Sequence, residues 1–256
     1  MSEVQTLARG LMILEKLAEA PDGLGITELA ETFEVDKGSM SRVLQTLSNY
    51  GFAEKDERTR KYILGPQIVR LSRTLLTRMP LRETAKPYLQ KLVDLTGECA
   101  HLAILARGET LYLDQVESPS ALRVTTGVGT LAPLHCTALG KVLLAFAGAP
   151  IPEKPQSYTF RTITELTAIQ HHIQQVNNQG YAMDDEEYNP GVRCIAVPIF
   201  DYRDRCVAAI GISGPTSRLP LENIASVVKT VQEVGQTLSA KLSFKAVESS
   251  TEPISS

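Results

Sequence analysis

Apolar residues recur at helical spacing along the first fifty positions of the chain. The pattern over residues 4–20 predicts an amphipathic helix, which Pro21 and the glycines after it interrupt. A second, shorter helix is predicted over residues 27–33, with Thr27 as its N-terminal cap. A third is predicted over residues 37–49, where four apolar side chains form one stripe: Met40, Val43, Leu44 and Leu47.

The third helix is followed by two short extended segments. Asp36 can cap the start of this helix, and Gly51 can end it in the left-handed conformation. The segments FAEK and KYIL, joined by the polar link DERTR, then predict a hairpin. Three helices and a hairpin in this order are typical of a winged helix-turn-helix, so we expect such a domain over residues 1–65.

The remainder of the chain mixes helical and strand periods. A linker helix is predicted over residues 66–79, before a second domain at 80–245 and a polar, disordered tail at 246–256. Strands are predicted over residues 100–106, 110–116, 122–126, 181–185, 194–200 and 206–213. Four helices are predicted: one over 81–96, one that begins near Thr137, one that ends at Gly180, and one over 220–242. Short turns between strands favour an antiparallel sheet with packed helices, so the fold class is predicted to be α+β.

Composition and charge narrow the class of protein. The chain is 43% hydrophobic and 21% charged, as soluble globular proteins are, and its formal net charge is -3. A polyanion site must therefore be local. Four scattered cysteines without a CxxC pair favour a reduced, cytoplasmic protein, and no apolar run approaches the ~20 residues of a membrane span. We expect a cytoplasmic protein with no membrane partner.

A local cationic surface lies on the predicted third helix. Residues 37–53 contain Lys37 and Arg42 and no acid, although residues 1–65 hold eight cations and eleven acids. The second helix of a helix-turn-helix enters the major groove of DNA, where Arg, Gln and Ser reach base edges or phosphates. The predicted contacts to double-stranded operator DNA are Lys37, Ser39, Ser41, Arg42 and Gln45 on the helix, with Arg58 and Arg60 on the hairpin.

A ligand pocket is predicted in the second domain. In LHCTALGK a turn precedes a helix, so the N–H groups of Thr137, Ala138 and Leu139 are expected to point outward unpaired. Such an N-terminus binds carboxylates and phosphates. The strands that carry Asp184, Cys194 and Ser213 add small polar groups beside apolar side chains, which suits a small organic ligand.

Three other hypotheses come from the same residues. Cys99, His101, His135 and Cys136 could bind zinc, but their spacings are not those of paired zinc ligands, so no metal or cofactor is predicted. His135 beside Cys136 could suggest a nucleophile and its base, but the chain has no third group, P-loop, GxGxxG or GxSxG motif, so no catalytic residue is predicted. A winged domain that contacts only proteins would show no salt-dependent DNA affinity.

Several longer segments resemble one protein family. The stretch from VQTLARG to RKYILG, together with PLHCTALGKVLLA, GYAMDDEEYNPGVRCIAVPIFD and AAIGISGP, is similar to the IclR family of bacterial transcriptional regulators over about residues 4–243. The resemblance implies a winged helix-turn-helix, a linker helix and a GAF/PAS-like effector-binding domain. It also implies dimers or dimers of dimers (homotetramers) on a near-palindromic operator, usually as repressors and otherwise as activators.

The resemblance also assigns effector contacts. By motif position these are Ala138, Leu139, Asp184, Cys194 and Ser213, and the implied effector is a small metabolite, for which we expect a carboxylic acid. The chain departs from the family pattern in three places. Gly38-Ser39 replaces a frequent Ser-Thr, so base preference cannot be transferred. Leu139 is bulkier and Gly211 smaller than the residues of some relatives, so we expect a reshaped cavity.

Overall fold

The computed structural model describes residues 4–77, 79–124 and 126–249. The chain divides into two compact units, Met1–Met79 and Pro80–Ser256. Both helices and antiparallel strands are present, which confirms the predicted α+β class. Within the described residues, no helix combines the length and the apolar character needed to cross a bilayer.

The first unit contains the predicted helices and hairpin. Its elements are α1 (Gln5–Ala18), α2 (Ile26–Thr32), α3 (Lys37–Asn49), β1 (Ala53–Lys55), β2 (Tyr62–Leu64) and α4 (Gln67–Thr77). Strands β1 and β2 pair in antiparallel register, with Glu54 opposite Ile63. The apolar stripes of the three helices form one core. One fully buried side chain from each helix lies in it: Ile13 of α1, Leu29 of α2 and Leu44 of α3.

One predicted helix cap in this unit is wrong. Helix α2 begins at Ile26, so Thr27 lies inside its first turn and Gly25 occupies the cap position. The carboxylate of Glu28 accepts the N–H of Gly25 at 2.6 Å. Because the carboxylate of Glu28 lies within the helix, the N–H of Gly25 has an acceptor without a hydroxyl group at the cap position.

The second unit is a six-stranded sheet with helices on both faces. Its elements are α5 (Pro80–Thr96), β3 (Cys99–Ala106), β4 (Glu109–Val116), β5 (Leu131–Ala132), α6 (Ala138–Phe146), α7 (Leu166–Gln179), β6 (Ala182–Asp185), β7 (Val192–Phe200), β8 (Cys206–Pro215) and α8 (Ile224–Ser249). The strand order is β5-β4-β3-β8-β7-β6, and every neighbouring pair is antiparallel. The tight turn between β3 and β4 falls at Arg107-Gly108, where both φ angles are positive.

The two faces of the sheet carry different helices. Helices α6 and α7 share a core with Ala103, Ala196 and Ala209, whose small side chains let the helices approach the sheet closely. Helices α5 and α8 pack on each other and on strands of the sheet. Gly235 allows α8 to approach Val197, since a Cβ there would lie 2.5 Å from the valine Cγ2. The N-terminus of α6 therefore meets the sheet on one defined face.

Two boundary predictions in the second unit are wrong. The described residues of the segment 122–126 form no strand, and the edge of β4 is instead paired by β5 through Thr110–Ala132 and Leu111–Leu131. Alternation alone does not create a strand, because a strand also needs a partner with unpaired backbone groups. The segment predicted to be disordered from 246 continues α8 as far as Ser249, because its residues include good helix formers, and 250–256 lie outside the described residues.

Candidate functional site

Helix α3 presents a cationic surface held in place by its cap. The carboxylate of Asp36 accepts the N–H of Ser39 at 2.8 Å, which confirms the predicted cap. Hydrogen bonds from Ser39 lower the pKa of Asp36 below its usual value, so this carboxyl stays ionised at neutral pH. The only acid at the start of the helix is therefore engaged by the helix itself, within the part of the chain that the structure describes.

The five predicted DNA contacts of α3 lie off its buried stripe. Lys37, Ser41, Arg42 and Gln45 are exposed, and Ser39 is half-buried. Arg42 Nη2 donates to Ser39 Oγ at 3.1 Å, and Gln45 Nε2 donates to Asn49 Oδ1 at 2.9 Å. These exposed donors belong to side chains that can reach base edges or phosphates.

The two predicted hairpin contacts differ in their surroundings. Arg58 and Arg60 are both exposed in the turn between β1 and β2. The carboxylate of Asp56 accepts the N–H of Arg58 at 2.8 Å, which fixes the turn. The guanidinium of Arg60 lies 3.7 Å from the Glu57 carboxylate. Because such an exposed pair is weak, Arg60 can exchange it for a phosphate contact.

A small buried cavity lies between the N-terminus of α6 and the sheet. Its volume is about 30 Å³. The structure brings all five predicted effector-binding residues to its wall: Ala138, Leu139, Asp184, Cys194 and Ser213. The wall also includes His101, Tyr112, Val124, Thr126, Tyr188 and Gly211. Residues separated by more than a hundred positions thus converge on one enclosed space.

Three polar side chains form a row across the sheet at this cavity. Asp184 of β6 lies opposite Cys194 of β7, and Cys194 lies opposite Ser213 of β8. Directly opposite residues on antiparallel strands place their side chains on the same face, ~5 Å apart. All three are wall residues of the cavity. The row therefore offers a carboxyl, a thiol and a hydroxyl to one ligand.

The start of α6 faces the same space. Thr137 caps the helix, because its Oγ1 accepts the N–H of Gly140 at 3.1 Å and donates to the carbonyl of Pro133 at 2.7 Å. Thr137, Ala138 and Leu139 all line the cavity. Gly140 is required at this point, because a Cβ would lie 2.5 Å from the Cα of Leu134. The positive end of the helix dipole is thereby directed at the cavity.

Burial sets the protonation of Asp184. It raises the pKa of this carboxyl to about 7, against the opposing effect of the N–H that Glu187 donates to it at 2.7 Å. Both side chains lie beside Lys141, whose Nζ forms a buried ion pair with Glu187 and donates to the carbonyl of Met183 at 2.9 Å. Asp184 therefore holds a proton part of the time at neutral pH, close to the ion pair of Lys141 and Glu187.

A histidine completes the polar wall of the cavity. His101 Nε2 lies 2.5 Å from Ser213 Oγ, and the imidazole packs edge-on against Tyr112. Burial lowers the pKa of His101 to about 4, so the imidazole is neutral. From the sequence, His101 was a candidate only as a metal ligand. Its position in the otherwise apolar strand CAHLAILA was the available signal that its side chain has a polar partner.

Gly211 does not leave free space in the cavity. A Cβ at this position would lie 2.3 Å from the carbonyl oxygen of Ile195 and 2.9 Å from the Cα of Ala196. The backbone of β7 therefore occupies the space that a side chain would need. The missing side chain at Gly211 therefore adds no open volume to the cavity.

The proposed zinc ligands do not come together. No three His, Cys, Asp or Glu side chains in residues 4–77, 79–124 and 126–249 form a group that could hold a metal ion. Cys99 Sγ accepts the N–H of Ser118 at 3.2 Å, and His135 Nε2 lies 2.9 Å from the carbonyl of Gln156. These side chains contact separate backbone segments.

One unit of the chain is a helix-turn-helix with a cationic helix, and the other encloses a small polar cavity. This combination defines a ligand-responsive DNA-binding regulator. The chain belongs to the IclR family of transcriptional regulators. Residues 6–57 match the family's helix-turn-helix domain, and residues 73–240 match the bacterial transcriptional regulator IclR C-terminal domain.

Named regulators from other bacteria match nearly the whole chain. The HTH-type transcriptional regulator BhcR of Paracoccus denitrificans is 36% identical, over 92% of this chain and 86% of its own length. The HTH-type transcriptional regulator XynR of Escherichia coli is 32% identical, over 96% of this chain and 100% of its own. The transcriptional repressor IclR of Escherichia coli is 30% identical, over 91% and 89%.

Solved structures share the fold. An IclR transcriptional regulator from Silicibacter superposes with a TM-score of 0.81 at 25% identity, covering 93% of this chain and 96% of the other. An IclR homolog from Microbacterium hydrocarbonoxydans, complexed with 4-hydroxybenzoate, superposes with a TM-score of 0.76 at 22% identity, covering 93% and 98%. The two family matches and the named relatives make the chain a DNA-binding transcriptional regulator with an effector-binding C-terminal domain.

Proposed function

We propose that the protein is a repressor whose affinity for a near-palindromic operator changes when a small carboxylic acid binds in the cavity at α6. The observation that carries this proposal is the row of Asp184, Cys194 and Ser213 facing the N-terminus of α6 in one enclosed space. Repression is inferred from relatives such as the transcriptional repressor IclR of Escherichia coli. Activation of a catabolic operon is the alternative.

The chemistry of the cavity favours an acid of small size. A helix N-terminus attracts negative charge, and Ser213 and Cys194 supply donors to a carboxylate. The cavity of about 30 Å³ is far below the ~150 Å³ that holds benzene in an engineered cavity. Its wall must therefore move as an acid enters. The acid then binds the arrangement with the moved wall more tightly than the arrangement without it. Such a difference in affinity is what a ligand needs in order to control DNA binding.

The DNA side of the proposal uses the exposed face of α3. Lys37, Ser39, Ser41, Arg42 and Gln45 contact the major groove, while Arg58 and Arg60 contact phosphates. A two-fold operator needs two such helices, hence a dimer or a dimer of dimers. Exposed apolar side chains in the first unit favour a second copy as partner: Leu7 and Leu11 on α1, and Val69 and Leu75 on α4.

The proposal excludes a catalytic role. The relatives are named as transcriptional regulators, and the polar groups at the cavity are explained by ligand binding. Since the partner is bacterial DNA, the protein acts in the cytoplasm. The salt dependence of DNA affinity distinguishes this function from a protein-only interaction module. The affinity of a DNA-binding protein falls steeply as salt rises, because it must displace counterions from the phosphates, whereas a protein-only module shows no such dependence.

A thermal-shift screen of the full chain tests the ligand. Acetate, glycolate and 4-hydroxybenzoate are compared with acetamide, glycolamide and 4-hydroxybenzamide, so that each acid has a neutral partner of the same shape. We expect at least one acid to raise the melting temperature and its amide to raise it less, because a ligand stabilises the form that binds it. Ser213→Ala and Asp184→Asn should reduce the shift. Equal shifts for acids and amides, or none for either, would contradict the proposal.

A further inference from the structure

His101 extends the polar row of the cavity onto a fourth strand. It pairs with Gly211 of β8, while Ser213 of the same strand pairs with Cys99. His101 and Cys99 are two residues apart and therefore share a face of β3. The 2.5 Å approach of His101 Nε2 to Ser213 Oγ is thus a diagonal cross-strand contact. The row now runs from Asp184 through Cys194 and Ser213 to His101.

The second nitrogen of this imidazole has no partner within the described residues. His101 is 3% exposed, and its Nδ1 is buried without a hydrogen bond. A buried polar atom without a partner costs free energy, which a ligand recovers when it supplies one. The side chain lines the cavity, so such a ligand atom lies within reach. Neither the motif-based contacts nor the three-residue row includes this group.

The protonation of the imidazole decides which kind of ligand group can form a hydrogen bond with Nδ1. Burial keeps the imidazole neutral, so only one of its two nitrogens carries a proton. We assign that proton to Nε2, which faces Ser213 Oγ, and this assignment leaves Nδ1 as an acceptor. A carboxylate offers only lone pairs, and it can bind at Nδ1 only if this atom gains a proton. The entering negative charge itself favours that gain. The remaining groups around the cavity are Tyr112 of β4, Asp184 of β6, Cys194 of β7, Tyr188 after β6, and the uncharged start of α6 at Ala138 and Leu139.

We propose that His101 is a further effector-contacting residue that selects an anionic ligand. The imidazole takes one proton from solvent as the carboxylate enters, and then donates Nδ1–H to it while Nε2–H remains on Ser213. This inference rests on the proposed function, since it requires an acid in this cavity. The inference adds to the proposed function that His101, on β3, takes up the proton and becomes the cation that pairs with the carboxylate of the ligand.

Two substitutions separate the nitrogens of the ring. His101→Gln places an amide near Nε2 and can keep the contact with Ser213, whereas His101→Asn places an amide near Nδ1. Neither amide can take up a proton. His135→Gln is the matched control, because His135 is also buried but contacts the carbonyl of Gln156 and lies outside the cavity wall. Operator affinity without acid shows that each variant is folded.

Calorimetric titration of the full chain measures the proton directly. The probe is whichever of acetate, glycolate and 4-hydroxybenzoate gives the largest thermal shift, titrated in phosphate and in Tris, whose different ionisation enthalpies report proton uptake. Wild type and His135→Gln should take up about one proton per acid near pH 7.5, above the ordinary pKa of a histidine. Both His101 variants should bind the acid at least about tenfold more weakly, which is one pKa unit of lost interaction, with the proton uptake lost.

A second readout covers variants that fail to fold. In wild-type protein labelled with ¹⁵N-histidine, the chain has four imidazoles, and one should change from neutral to cationic as the acid is added. Unchanged acid affinity and proton uptake in both His101 variants would assign the proton to Asp184 and overturn the inference while the proposed function stands. If none of the three acids binds wild type, the proposed function fails and the inference fails with it.

Discussion

Lys141 and Glu187 form an ion pair that is buried on both sides, with side chains 3% and 7% exposed. The pair joins α6 to the segment after β6, and Lys141 Nζ also donates to the carbonyl of Met183 at 2.9 Å. Two walls of the cavity, the helix start and the strand that carries Asp184, are thereby fastened together. The contact defines the position of the polar groups more than it adds net stability, because burial of two charges offsets much of their attraction.

Removing one partner of this pair should be strongly destabilising. Lys141→Met leaves the Glu187 charge buried and alone, and we expect it to lower the free energy of unfolding by about 3–5 kcal/mol. Urea unfolding of the full chain measures this change. Lys229→Met is the control, because Lys229 is 78% exposed and 4.0 Å from Glu233, and its effect should stay below about 0.5 kcal/mol. Equal stability of the two variants would show that the Lys141 pair is not buried in solution.

The raised pKa of Asp184 should make stability depend on pH. The pKa rises from 3.8 to about 7 on folding, so between these values the folded chain binds a proton that the unfolded chain releases. This group therefore stabilises the fold fully below pH 4, and its contribution is lost as pH rises through 7. Asp184→Asn keeps the acceptor oxygen and removes the charge.

The asparagine variant should gain stability relative to wild type as pH rises. The gain should approach about 4 kcal/mol above pH 7, at ~1.4 kcal/mol per pKa unit, and fall toward zero near pH 4. Melting temperatures of both proteins across about pH 5 to pH 8 measure the difference. A difference that does not vary with pH would show that the carboxyl titrates in the ordinary range.

Gly140 should tolerate no side chain at the start of α6. A Cβ would lie 2.5 Å from both the Cα and the carbonyl oxygen of Leu134, and 2.6 Å from Thr137 Oγ1. We expect Gly140→Ala to destabilise the chain by about 1–3 kcal/mol and to weaken acid binding, because the backbone must shift. Gly10→Ala is the control, since its Cβ meets only Val43 Cγ1 at 3.8 Å and alanine favours the helix by ~0.5–1 kcal/mol. Denaturation curves that rank the two variants in the reverse order would contradict the account.

Arg42 and Arg58 should affect DNA binding in different ways. Arg42→Ala should cost about 1–3 kcal/mol for the operator and little for unrelated DNA, since a base contact carries sequence information. Arg58→Ala should weaken all DNA about equally and reduce the slope of log K against log salt by about 1, as loss of one phosphate contact does. Fluorescence anisotropy with operator and scrambled duplexes at several salt concentrations separates these outcomes. A uniform loss in Arg42→Ala would remove it from base recognition.

Elements with a strong period were predictable from the sequence. The stripe of Met40, Val43 and Leu44 predicted α3 with its observed bounds, and Gly180 ended α7 as expected, and it does so in the left-handed conformation. The strand predicted at 122–126 was wrong, and the short strand β5 pairs with Thr110 and Leu111 of β4. Thr126 instead donates its N–H to the side chain of Gln115 at 3.2 Å. Local alternation does not show whether a segment will find a partner strand.

The cavity was predictable in its residues and not in its size. Five effector contacts were predicted from motif position, and all five line the cavity in the structure: Ala138, Leu139, Asp184, Cys194 and Ser213. Its size depends on how closely the backbone of β7 lies against Gly211, and hence on strand register, which the sequence does not specify. His101 was overlooked because one polar residue in an apolar strand has no defined partner until the sheet is assembled.

The most direct test of the central claim is the operator affinity of the full chain with and without acid. The operator is first recovered by selection of bound fragments from genomic DNA, and the acid is the compound that gave the largest thermal shift. We predict that saturating acid weakens binding of the wild type to its operator on the order of 5- to 150-fold, the usual range of allosteric coupling, and leaves that of Ser213→Ala nearly unchanged. An operator dissociation constant that is the same with and without the acid in the wild type would contradict the account.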